Sequence, residues 1–296
     1  MRARPAPLPA RAGQGQHRRM SDETLRAALS RRFGDAPEPP EDVQGTASLA
    51  HLAAHRSCRA FQARPVDEAL LRLLCAVALS APSKSDLQQR DIVLVRDPAL
   101  RRSLEALMPG VEWLPGAPAL LVVCGNNRRQ RRLHELRGHA FANDHLDAFF
   151  NAATDAAIAL AWLVAAAETA GLGCCPVSAI RNEAEAVSCL LHLPDRVFPY
   201  AGLALGWPAD EGVLNPRLPL AATVHVDRFD DAALPHHVAD ADRRRVAQKP
   251  FARRRFAAEF GTAEPYGWSE DVTRQHSRPE RAGFGAYVRA RGFKLD

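Results

Sequence analysis

The five residues His55-Arg56-Ser57-Cys58-Arg59 place two guanidiniums, a hydroxyl and an imidazole in one short stretch. Groups of that kind can turn several charge-assisted donors on a single phosphate, and the planar fork of arginine suits phosphate oxygens. Alone, such a stretch also describes a solvated basic loop, where exposed charges contribute little. Further on, Ala81-Pro82-Ser83-Lys84-Ser85-Asp86-Leu87-Gln88 gathers hydroxyls and an amide in a polar turn. Gly171-Leu172-Gly173 then leads into Cys174-Cys175-Pro176-Val177-Ser178-Ala179-Ile180-Arg181-Asn182, and another basic position stands in Pro216-Arg217-Leu218-Pro219. Ser and Gln supply fixed dipoles that do not titrate.

These segments need elements to hold them. Asp67 is suited to cap a helix running to residue 79, with apolar positions 70, 71, 73, 74, 77 and 78 on a broad buried stripe, and Pro82 stops it. Strands are predicted at 92–95, 119–125 and 199–205, with another possible strand at 223–226. The run 119–125 is apolar throughout and reads as a central strand buried on both faces. Short helices are predicted at 99–107 and 183–191, and a final helix near 279–291. The longest helix, 147–170, is apolar nearly all round, so it belongs in a core or a subunit interface, and Gly171 is placed to end it in the left-handed conformation.

Helices around a central mixed sheet describe an α+β fold. Residues 1–45 are rich in Arg, Pro and Ala and hold no aromatic except Phe33, so they are expected to form a mostly disordered or loosely helical tail. Residues 46–229 form the main domain, and 230–296 a helical extension of it.

Composition narrows the class. Hydrophobic residues make up 47% of the 296, ample for a globular interior. The formal net charge of +5 comes from 39 basic and 34 acidic residues that are interleaved along the chain. No aromatics alternate with the Arg runs, so a nucleic-acid surface is not expected. No apolar run approaches the roughly 18–20 residues of a spanning helix, since 152–167 is interrupted by Thr154 and Asp155, so no membrane partner is expected. Asp22, Glu23 and the acidic stretch 35–41 speak against a targeting segment. Six cysteines show no Cys-x-x-Cys spacing and 11 histidines no His-Glu-x-x-His, so no metal site is expected. Reduced thiols fit a cytoplasmic protein.

Taken in order, the segments resemble the FMN-dependent nitroreductases, in particular the NADPH-preferring branch with a long C-terminal extension. The resemblance covers approximately residues 48–296. It implies that His55, Arg56, Ser57 and Arg59 hold the FMN phosphate, and that the loop from Leu205-Gly206-Trp207-Pro208-Ala209 returns Arg217 to it. It implies that Ser83, Ser85 and Gln88 contact the pyrimidine side of the flavin. Asp86 stands where the family often has Asn, and a carboxylate cannot donate. Pro176, Val177, Ser178 and Ala179 would lie against the ring near N5, with Pro176 to Ser178 presenting backbone N–H groups. Trp268-Ser269-Glu270 and the stretch from Arg278-Pro279 to Gly292-Phe293 resemble the tail of that branch, and Arg253-Arg254-Arg255 suits a 2′-phosphate.

The resemblance further implies FMN as cofactor, NADPH or NADH as reducing substrate, and a homodimer. It implies ping-pong transfer of hydride to nitroaromatic, quinone or flavin acceptors, with no catalytic side chain because flavin N5 carries the hydride. No Gly-x-Gly-x-x-Gly follows a strand, so nicotinamide is a visiting substrate. The alternatives are a flavin enzyme acting on a dedicated metabolite by oxidation, dehalogenation or reduction, and a non-catalytic flavin- or nucleic-acid-binding protein.

Overall fold

Leu25, Ala28 and Arg32 recur at the spacing of one helical face, and all three are buried on α1 (24–33) in the computed structural model. The structure describes residues 24–35, 37–40 and 42–296. Helix α1 therefore lies inside the stretch expected to be disordered or loosely helical, and a buried face fixes it. The rest of that expectation, over 1–23, falls outside the described residues.

Helix α2 (Thr46–Ala53) precedes the phosphate-type cluster. Helix α3 (Glu68–Leu79) begins where predicted, with the Asp67 carboxylate accepting from Ala69 N at 2.7 Å. Its buried stripe is Leu71, Leu74 and Ala78 only, and Leu73 is 59% exposed. After it come β1 (Arg90–Val95), α4 (Pro98–Ala106), β2 (Ala119–Asn126), α5 (Arg128–Arg137), α6 (Leu146–Thr169) and β3 (Gly173–Val177). Then follow α7 (Ala184–Leu190), β4 (Val197–Gly206), α8 (Leu234–Gln248), α9 (Ala257–Phe260), α10 (Trp268–His276) and α11 (Phe284–Ala290).

The chain divides into two compact units. The sheet unit comprises Arg56–Val213 and Pro279–Asp296; the other comprises the described residues up to His55 together with Leu214–Arg278. In the sheet unit the strand order is β1-β2-β4-β3. The expected central sheet is present, but all its strand pairings are antiparallel, and parallel pairing is limited to an isolated bridge between Ser57 and Cys174. An uninterrupted apolar run such as 119–125 marks a strand buried on both faces, the usual setting of parallel strands. Here helices cover both faces of an antiparallel sheet. Ala119, Leu121 and Val123 of β2 pack with Leu71, Leu74 and Ala78 of α3 and with Ala156, Leu163 and Ala167 of α6. Leu120, Val122 and Cys124 point the other way, toward Leu104 of α4 and Val187 of α7.

By length and composition α6 could cross a membrane, which the interrupted run 152–167 did not suggest. It instead lies against the sheet with Asp155 fully buried in its middle. Gly171 ends it with φ +81°, and Leu172 N donates to Ala167 O at 2.9 Å, the six-residue closure of a Schellman cap. Strand β3 and helix α5 were not foreseen. The segment 223–226, expected as a strand, is turn and coil after a single turn at Leu220–Ala222. Val224 and Val226 are exposed there, so no layer covers them within that unit.

The end of the sheet unit is fastened at Asp144, whose carboxylate receives Arg131, Lys294 at 3.2 Å and Arg196 at 3.5 Å. The Arg131 hydrogen bond, helped by Lys294 and opposed by partial burial, holds this carboxyl well below the usual carboxylate range. A depressed folded-state pKa stabilises above the unfolded value of about 4 and is lost as pH falls through the folded one. Urea midpoints of wild type and Asp144→Asn should therefore differ most near neutrality and converge in acid below about pH 4. A gap that stays constant to pH 2.5 would remove Asp144 from the acid response.

Candidate active site

In the sheet unit the cluster after His55 runs beside β3. Cys58 N donates to Cys174 O at 2.8 Å, and Ser57 bridges Cys174. Gly173 permits this approach, because a Cβ there would lie 2.6 Å from both Cβ and Sγ of Cys58. Cys58 points inward, leaving Arg56 and Arg59 exposed. The Arg59 guanidinium sits 5.9 Å from the Trp113 ring centre. Arg56 packs its stem near Gly212, in a turn closed by Gly212 N donating to Asp210 at 3.0 Å, and its guanidinium makes no ion pair among the described residues.

The cysteines here are free. Burial pushes the Cys58, Cys174 and Cys175 thiols up, with Arg59 and Ser57 pulling Cys175 partly back. Raised pKa values keep these sulfurs as thiols at neutral pH, which disfavours nucleophilic or disulfide chemistry.

The polar turn 83–88 is held from below. Fully buried Asp155 accepts from Ser83 Oγ at 2.7 Å, Lys84 N at 3.1 Å and Gln89 N at 2.7 Å. Arg90 lies 3.6 Å from the same carboxylate and donates to Leu79 O and Ala81 O. The start of α5 holds the other side: Gln130 Nε2 donates to Leu87 O at 2.6 Å, Arg129 to Gln88 O, and Asn127 Nδ2 to Gln89 Oε1 at 2.7 Å. Ser85, Asp86 and Gln88 are all left-handed, with φ of 48°, 53° and 52°. A run of such residues without glycine is strained and persists only where its surroundings over-determine it.

This geometry divides the predicted ring contacts. The Ser83 hydroxyl is already committed, donating to Asp155 and accepting from Gln88 N at 2.7 Å. The Gln88 amide donates to Asp86 at 3.0 Å. Ser85 is exposed, and its hydroxyl has no partner among the described residues. Lys84 pairs with Asp147 at 3.3 Å.

In the third segment Pro176 is an exposed residue of edge strand β3, the setting in which a sheet tolerates proline. Proline has no N–H, so the expectation of donors from Pro176 onward holds only from Val177. Ser178 opens a single helical turn to Arg181, where leading N–H groups lack intrahelical acceptors. Ala179 is half-buried beside it.

His55 and Arg217 belong to the other unit. Arg32 reaches both segments: Nε donates to Ala53 O at 3.0 Å, Nη1 to Asn215 O at 3.0 Å and Nη2 to His55 O. Arg217 N donates to Arg32 O, and Arg217 O accepts from Arg244 at 2.9 Å. With its backbone held on both sides, Arg217 keeps a guanidinium free of ion pairs among the described residues. In the Arg253-Arg254-Arg255 run, Arg254 pairs with Glu264 and Arg255 with Asp271, leaving Arg253 without an ion pair among the described residues. No group of acidic, His and Cys side chains among the described residues could hold a metal ion.

The Nitroreductase family model matches residues 52–207, and the model for the Nitroreductase family C-terminal domain matches 215–296. This chain belongs to the nitroreductase family. The FMN reductase [NAD(P)H] of Bacillus subtilis (strain 168) is 30% identical over 248 residues, 83% of this chain and 97% of that protein. The oxygen-insensitive NADPH nitroreductase of Salmonella typhimurium is 36% identical over 178 residues, 60% of this chain and 72% of its own. The structure of NfrA2 from B. megaterium superposes with a TM-score of 0.76 at 29% identity, over 84% of this chain and 98% of that one.

The residues of this nitroreductase fit a flavin carrying a phosphate. In the sheet unit the Arg56 guanidinium makes no ion pair among the described residues. Ser85 and the Ser178 turn add neutral donors. Sequence reasoning missed the supporting residues Arg32, Arg90, Asp155 and Gly173. For Asp155 a signal existed, since a charge inside an apolar helix must be satisfied by something.

Proposed function

We propose that this nitroreductase holds FMN and uses it to move hydride from NADPH to nitroaromatic, quinone or flavin acceptors in two half-reactions. Bound FMN supplies N5 as acceptor and then donor of the hydride. Arg56, Arg59, Ser57, His55 and Arg217 bind the phosphate. Ser85 and the turn around Gln88 orient the pyrimidine edge, with Ser83 acting beneath as a brace. Val177, Ser178 and Ala179 line the ring with backbone, and Pro176 adds an apolar contact. No side chain needs to transfer a proton that solvent cannot supply.

The observation that carries this reading is the Arg56–Arg59 segment, which the bond from Cys58 N to Cys174 O fixes against β3 while the Arg56 guanidinium makes no ion pair among the described residues. An available guanidinium can form the forked, charge-assisted bonds that phosphate oxygens accept. Arg253 supports NADPH over NADH for the same reason.

Exposed Leu73 and Val77 on α3, with Phe150 and Trp162 on α6, support a homodimer face. The free thiols support a cytoplasmic location.

Purified protein is expected to be yellow, to bleach anaerobically with NADPH faster than with NADH, and to regain colour on adding a nitroarene or quinone. Protein that stays colourless after incubation with FMN sinks the proposal. Arg56→Ala should weaken FMN binding by about 1.5–3 kcal/mol, roughly ten- to hundredfold in Kd, with the melting temperature unchanged. Full flavin occupancy in that variant would remove Arg56 from the phosphate site.

A further inference from the structure

We propose that Arg32 is a positioning residue for phosphate binding, contributed by a helix that precedes the family match. The proposal rests on reading His55 and Arg217 as phosphate ligands. Helix α1 ends before residue 52, where that match begins, yet its last turn carries a guanidinium that is only 6% exposed.

A buried guanidinium is tolerated only when its donors are met. Those of Arg32 reach the carbonyls of Ala53, His55 and Asn215. Ala53 closes α2, where terminal carbonyls have no helical partner and carry partial negative charge, so a cation is favoured there. His55 lies two residues on, and Asn215 two residues before Arg217. One planar side chain thus joins the residue that carries the imidazole to the segment that carries the returning guanidinium.

The backbone of Arg32 does the complementary work. Its carbonyl accepts from Arg217 N at 2.5 Å and from Arg244 Nη1 at 3.1 Å. Arg244 is itself set by Asp240 at 2.8 Å and donates on to Arg217 O. Gly34, at φ +83°, turns the chain away, and a Cβ there would meet Arg244 Nε at 3.0 Å. Arg217 is therefore held at both its N–H and its carbonyl. Ordering the bases of two phosphate ligands before ligand arrives removes that ordering from the cost of binding.

Riboflavin, which shares the ring and lacks the phosphate, separates this role from general support of the fold. Arg32→Ala is expected to raise the Kd for FMN about tenfold or more while leaving riboflavin within about twofold, measured by fluorescence titration of apoprotein. Arg32→Lys keeps the charge but not the three-way fork, and should fall between the two. Equal weakening of FMN and riboflavin, or unchanged FMN affinity, overturns the proposal. Should Arg32→Ala fail to fold, Arg32→Lys is read by the same two criteria. Wild-type protein that binds riboflavin as tightly as FMN would overturn the phosphate reading, and the proposal with it.

Discussion

Asp155→Ala is expected to lose about 3–5 kcal/mol of stability, because it leaves Arg90 buried opposite no charge and three donors with no acceptor. Those donors are Ser83 Oγ, Lys84 N and Gln89 N. The loss should reach the flavin as well. Ser85, Asp86 and Gln88 hold left-handed backbone, each costing on the order of 1 kcal/mol, and the carboxylate beneath helps to keep them there. FMN affinity is thus expected to fall together with the melting temperature. A double variant, Asp155→Leu with Arg90→Met, separates the two effects. Replacing both members of a buried pair by apolar residues is often close to neutral for stability, so the melting temperature should partly recover. Flavin affinity should not, since the loop still lacks its acceptor. A double variant that regained both would mean that the loop does not depend on Asp155.

The second large effect is expected at Gly173. Its backbone is not left-handed, so strain from φ plays no part and the matter is steric. Alanine would place a carbon 2.6 Å from Cys58 Cβ, an atom that cannot move without its backbone, and 3.3 Å from Pro208 Cβ. The segment carrying Arg56, Ser57 and Arg59 must then lift from β3, breaking the 2.8 Å bond from Cys58 N to Cys174 O. Overpacking of this kind costs about 1–3 kcal/mol, and FMN affinity should drop in step. Adding Cys58→Gly removes the opposing atoms and should restore much of the binding. Gly173→Ala protein with ordinary flavin occupancy would show that the segment has another way to sit.

Much of the frame was legible because burial writes a periodic signal. The run 119–125 declared a strand covered on both faces, and Asp67 and Gly171 marked helix ends by known cap chemistry. The family was legible in the order of the segments, through resemblance more than through any one residue. What stayed hidden has physical reasons. Helix α5 buries only Gln130, so no apolar stripe announces it; its residues hold loop carbonyls instead. Strand β3 contains a proline and two cysteines, a composition that local propensity does not favour. Arg32 looked like one arginine among many near the N-terminus, and its role depends on carbonyls up to 183 residues away.

The stretch 57–62, which carries the proposed phosphate ligands Ser57 and Arg59, has a structural role as well. It bridges Cys174 of β3 at one end and at the other pairs Phe61 with Pro208, Gln62 N donating to Trp207 O and Ala209 N to Ala60 O. An open strand margin with free N–H and carbonyl groups is a template for foreign strands and the usual start of aggregation. Here that stretch meets the margin of β3 at Cys174, and Pro176 blunts it further. If the ribbon holds the phosphate as proposed, colloidal solubility and cofactor capture are tied to the same six residues, and selection acting on either acts on both.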